Sequence, residues 1–91
     1  MMSPNSIEEL RSAVEMLHRC SATHQETRQV EMTFRGQTVW QGDVEVFDLS
    51  HTTARRCFAW VVEEQPVVVL ELPPVDSAET AVRSTLALPP W

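Results

Sequence analysis

The segment Cys57-Phe58-Ala59-Trp60-Val61-Val62 is apolar at every position, and no other stretch restricts the possible folds as much. A strand with one wet face alternates polar and apolar residues. A run without a polar position belongs to a strand covered on both faces. Val67-Val68-Val69-Leu70 repeats the pattern after Glu63-Glu64-Gln65-Pro66, which reads as a turn. Alternation assigns Phe58, Trp60 and Val62 to one face of the first run and Cys57, Ala59 and Val61 to the other.

The residues upstream extend the sheet. Gln29 to Arg35 alternates, with Val30, Met32 and Phe34 on one face, as a half-buried strand does. Arg35-Gly36-Gln37 is the expected turn, Gly36 supplying the positive φ of a tight hairpin. The return strand, Thr38 to Leu49, changes parity partway, since Val44 and Val46 share the parity of Trp40 rather than of Val39. A β-bulge at Gly42 would reconcile the two halves. Asp48 to Thr53 is a polar turn cluster, and Pro73-Pro74 ends the last strand because neither residue can donate to a ladder.

Two helices flank these strands. Ser6-Ile7-Glu8-Glu9 has the form of a capping box, and Ile7, Leu10, Val14 and Leu17 recur at helical spacing until the pattern fades near Cys20. Asp76-Ser77-Ala78-Glu79 opens the second helix, with Asp76 as the expected cap and Ala78, Val82 and Leu86 one turn apart on its buried face. Pro89-Pro90-Trp91 stops it. The expected fold is α+β: one domain over residues 1–91, a four-stranded antiparallel meander with an N-terminal and a C-terminal helix packed on one face (αββββα). Such helices leave the second face uncovered, and Cys57, Ala59 and Val61 become the candidate interface. The expectation is a homodimer formed through that face or through an edge strand.

Composition narrows the function classes. The 91 residues carry thirteen acids against seven bases, a formal net charge of −6, and every base is arginine. That balance disfavours nucleic acid, whose binding depends on basic side chains displacing counterions from phosphates. No apolar run approaches the ~20 residues of a membrane span, and the opening Met-Met-Ser-Pro-Asn-Ser lacks the basic and apolar regions of a secretory signal. With two cysteines at no recognisable spacing, the expectation is a cytoplasmic chain with free thiols and no cofactor.

Three constellations could carry chemistry. His18, Cys20 and His24 are borderline-soft ligands close in sequence, but a structural zinc normally takes four, and helical residues two apart diverge, so no metal is expected. His51 with Cys57 could make a base and thiol nucleophile, although a cysteine inside an apolar strand is usually small buried filler. His51, Arg55 and Arg56 form the candidate ligand site, Arg offering a planar fork to carboxylate or phosphate. Against this, Asp43, Glu45 or Glu63 could pair with either arginine across neighbouring strands. Trp40 and Trp60 fit core positions better than a stacking platform, and no phosphate loop, dinucleotide fingerprint or serine elbow is present.

The stretch Thr38-Val39-Trp40-Gln41-Gly42-Asp43-Val44-Glu45-Val46-Phe47-Asp48-Leu49, with Ala54 to Trp60 and Leu72 to Ser77, resembles a family of small bacterial proteins of uncharacterised function. The resemblance spans about half the chain and implies a bacterial source, with no activity or site residue to carry over. The order αββββα also loosely resembles double-stranded-RNA-binding domains, which are basic and present lysine-rich helix ends; a chain without lysine departs from that pattern. Two readings follow: a non-enzymatic interaction or accessory module acting as a homodimer, with a further protein partner possible in principle, or a small-ligand (anion) binding protein or enzyme with its polar site around His51, Arg55 and Arg56.

Overall fold

In the computed structural model, which describes residues 7–50 and 54–86, the chain runs through α1 (Ile7–His18), β1 (Ala22–Phe34), β2 (Gln37–Leu49), β3 (Arg56–Val62), β4 (Gln65–Leu70) and α2 (Ala78–Thr85). The strands form one antiparallel sheet in the order β1-β2-β3-β4, the α+β meander expected from short connections.

Both hairpin turns are two residues long. Phe34 pairs with Gln37 across Arg35-Gly36 (φ 55° and 79°), and Val62 pairs with Gln65 across Glu63-Glu64 (φ 50° and 65°). Positive φ at both central positions gives a turn whose twist matches that of the strands it joins. Glycine adopts this conformation freely, whereas two glutamates adopt it against the Cβ–carbonyl clash that disfavours left-handed backbone. The short loops shift the strand ends from the sequence expectation, so β4 begins at Gln65 and takes in Pro66. An edge strand tolerates that proline because its missing N–H has no partner inside the sheet.

The parity change within β2 is real, but Gly42 is not its site. Gly42 pairs regularly with Val30, and the extra residue is Val39, between Thr38 opposite Thr33 and Trp40 opposite Met32. Gly42 serves Trp40 instead. A Cβ built there would lie 3.0 Å from the indole, so the absent side chain leaves room for the ring, which meets Trp60 edge-on at 6.1 Å. A second irregularity leaves Gln25 unpaired between His24 and Glu26. β1 itself starts at Ala22 rather than Gln29. Its first half is an exposed, polar edge whose register comes from pairing with Val44–Leu49, so no apolar alternation marks it.

The helices pack on opposite faces, which corrects the expectation that both share one. From α1, Leu10 and Val14 bury against Ala22, Phe47, Leu49, Cys57 and Ala59. From α2, Ala78, Ala81 and Val82 bury against Val30, Met32, Val44, Val46, Phe58 and Trp60. The physical reason lies in β3, whose two apolar faces each need cover; one helix per face supplies both within a single chain. The ends of the predicted α1 stripe stay wet, Ile7 being 37% and Leu17 62% exposed. Glu15 fastens the end of α1 to β1, accepting from the Ala22 N–H at 2.9 Å and from Arg11 at 3.1 Å. Glu8 also accepts from Arg11, and that hydrogen bond, reinforced by the guanidinium charge, holds its carboxyl below the usual range.

At α2 the capping residues sit one position later than expected. Ser77 accepts from the Thr80 N–H, and the Thr80 hydroxyl accepts from the Ser77 N–H, completing the box with Thr80 rather than Glu79. Asp76 accepts from the Thr80 hydroxyl, and Glu79 faces Arg28 of β1 at 3.5 Å. The cap expected at Ser6 and the stop expected at Pro89-Pro90-Trp91 lie outside the described residues.

Candidate functional site

The polar site expected from sequence sits where β2 hands over to β3. The Leu49 N–H donates to the Arg55 carbonyl at 2.7 Å, and Ser21 and Ser50 are cross-linked by two hydrogen bonds that tie this corner to the start of β1. Arg56 donates through Nε to Asp48 at 3.2 Å across the β2–β3 pair, while its carbonyl accepts from the Glu71 N–H at 2.8 Å. Arg55 is exposed beside them. His51, the third expected member, lies outside the described residues.

These groups line an open cleft of about 550 Å³ formed by Asp48, Leu49, Ser50, Arg55, Arg56 and Glu71. Two carboxylates face two guanidiniums, so the described lining carries no net positive charge. An anion entering it would compete with Asp48 for Arg56 and meet Glu71. The far side of Arg56 and Glu71 borders a smaller hollow of about 130 Å³ at the start of α2, where Glu26, Glu71 and Asp76 outnumber Arg28 and Arg56. The cross-strand ion pair is therefore the use that Arg56 already has.

The expected interface residues occupy a different setting from the one that motivated them. Cys57 and Ala59 are 0% exposed, covered by α1 within the chain, and only Val61 remains half-buried at the end of that face. The face that lacked a cover in the sequence argument has its own helix. Burial pushes the Cys57 thiol up to about 12, and the neighbouring Cys20 adds to the shift. A thiol so protonated and enclosed is no nucleophile at neutral pH. Both cysteines are free.

A buried polar group emerged that the sequence argument had assigned elsewhere. Glu45, on the α1 face of β2, is buried and accepts through Oε1 from the Thr27 hydroxyl and from His24 Nε2 at 2.8 Å. His24 also meets Phe47 edge-on at 5.4 Å. The group joins β1 to β2 beside the unpaired Gln25 and satisfies a carboxylate that burial would otherwise make costly. The signal was present in the sequence: Glu45 shares the parity of Phe47 and Leu49, so an acid stands next to the core-facing residues of that row. It lines neither cleft described above, and its contacts account for it as a clamp between strands.

His24 is thus committed to β1 and Glu45, away from the metal-type spacing with His18 and Cys20. Among the described residues no three His, Cys, Asp or Glu side chains are placed to hold a metal ion. Nor is any helix among them long and apolar enough to cross a membrane. Trp40 and Trp60 belong to the core on the α2 face. No protein-family model, curated protein or solved structure matches the chain.

Proposed function

We propose that this chain is a non-enzymatic interaction module that acts as a homodimer, associating through the outer edge of β4. The observation that carries the reading is the contrast between the two edges of the sheet. β1, at one edge, presents His24, Glu26, Arg28, Gln29 and Glu31, a charged and polar border of the kind that resists strand pairing. β4, at the other, presents Val67-Val68-Val69-Leu70, half-buried on both faces and guarded, among the described residues, only by Pro66 near its start. With each sheet face covered by its own helix, the edge is what remains of the sequence argument for association. The mixed lining of the Arg55–Arg56 cleft supports this reading over the anion-binding one.

Sedimentation equilibrium across a wide range of protein concentration tests it. A concentration-dependent shift from monomer to twice the monomer mass is expected. A monomer mass maintained to high micromolar concentration would overturn the proposal.

A further inference from the structure

We infer that two copies of this chain join by antiparallel pairing of β4 with β4 about a two-fold axis at Val68; the inference rests on the dimeric reading above and adds its register. The direction of each backbone group in β4 follows from one bond. The Glu71 N–H donates to the Arg56 carbonyl, so Glu71, Val69, Val67 and Gln65 turn their N–H and C=O toward β3, while Leu70, Val68 and Pro66 turn theirs outward. Of these outward groups two are special. Pro66 has no N–H to give, and the Leu70 carbonyl already accepts from the Leu72 N–H at 3.0 Å.

A partner strand must therefore neither require a donor from Pro66 nor offer one to Leu70. A second β4, reversed and centred on Val68, meets both conditions. Val68 exchanges two hydrogen bonds with Val68 of the second copy. Each Leu70 N–H donates to the Pro66 carbonyl of the other chain. The donor that Pro66 lacks is opposite the acceptor that Leu70 has already filled. Centring the axis one residue away, on Val67 or Val69, removes the Val68 exchange. In the first case it sets Pro66 against the Val68 carbonyl, leaving that acceptor without a donor; in the second it sends the Val68 N–H to the occupied Leu70 carbonyl.

Side chains agree with this register. Val67 and Val69 pack beside the α2-face core and Val68 and Leu70 beside the α1-face core, so an axis perpendicular to the sheet continues each core into its own counterpart.

Cysteine cross-linking of the full chain reads the register directly. Hydrogen-bonded antiparallel partners lie about 5.5 Å apart at Cα, inside the roughly 4.4–6.8 Å that a disulfide spans. In a Cys20→Ser background, Val68→Cys is expected to oxidise to a covalent dimer, while Val67→Cys and Val69→Cys alone stay monomeric on a non-reducing gel and cross-link when mixed. Val68→Pro, which removes an N–H directed away from β3, is expected to abolish the dimer mass while circular dichroism keeps the sheet signal. Self-linking of Val67→Cys or Val69→Cys instead of Val68→Cys, with the dimer mass retained, overturns the register and leaves the dimeric reading standing. A wild-type chain that sediments as a monomer overturns both.

Discussion

The two faces of β3 are built from different sizes of residue, and each has the helix that its size permits. Cys57 and Ala59 are small, and α1 places Leu10 and Val14 directly over them. Phe58 and Trp60 are large, and α2 meets them with Ala78, Ala81 and Val82. Small against large on one side and large against small on the other keeps both layers close to a thin sheet. Each helix supplies only two or three fully buried side chains, so stability depends on both cores being filled.

Truncating a large residue should show how unequal the faces are. Trp60→Ala removes the centre of the α2-face core together with its edge-on contact to Trp40, and should destabilise by about 3–5 kcal/mol, the usual cost of deleting a buried aromatic. Leu10→Ala, the matching change under α1, should cost about 3 kcal/mol. Urea unfolding followed by circular dichroism measures both. If Leu10→Ala costs less than about 1 kcal/mol, α1 is a loose cover rather than a core element, and the two faces are not equivalent partners in the fold.

How much of this was legible depended on whether a residue's signal was local. The apolar run at Cys57–Val62 announced a two-faced strand, and the alternation at Val30, Met32 and Phe34 announced another, because burial writes itself into side-chain type. The first half of β1 did not show itself, since an outer strand with polar side chains is held by backbone pairing that leaves no mark on composition. The face chosen by each helix was also hidden. An amphipathic stripe says that a helix is covered, and says nothing of which side of a sheet covers it. At the candidate site, the pairing of Arg56 with an acid was readable from the abundance of carboxylates. That Asp48 would be the partner required the β2–β3 register.

The register that sets Val67 and Val69 beside Phe58 and Trp60, and Val68 and Leu70 beside Cys57 and Ala59, depends on the β3–β4 turn, because a slip of one residue would move each β4 side chain to the other face. Glu63 and Glu64 hold positive φ with side chains poorly suited to it. Replacing them with the Asn-Gly pair that favours this turn should raise stability by about 1–2 kcal/mol. The comparison with Arg35-Gly36 sharpens the point, since that turn already has glycine at its second position and offers less to gain. A shift in urea midpoint with unchanged slope would support the argument. An unchanged midpoint would mean that the strands, rather than the turn, set the register.

Cys57 gives the smallest effect at neutral pH and the most specific probe of the α1 face. Its thiol is raised to about 12 by burial, with Cys20 contributing. In the unfolded chain the same thiol ionises near about 8.5. Below that value both states hold the proton and pH leaves this term unchanged. Between the two values the unfolded chain releases a proton that the folded chain retains, so stability falls as pH rises through that window. Replacing Cys57 with alanine should flatten the decline, while Cys20→Ser should leave most of it in place. Iodoacetamide at neutral pH should label the folded protein at Cys20 in preference to Cys57, and denaturant should expose Cys57 to reaction. Rapid labelling of Cys57 under native conditions would mean that α1 opens readily, and the small-residue face would then be the less secure of the two.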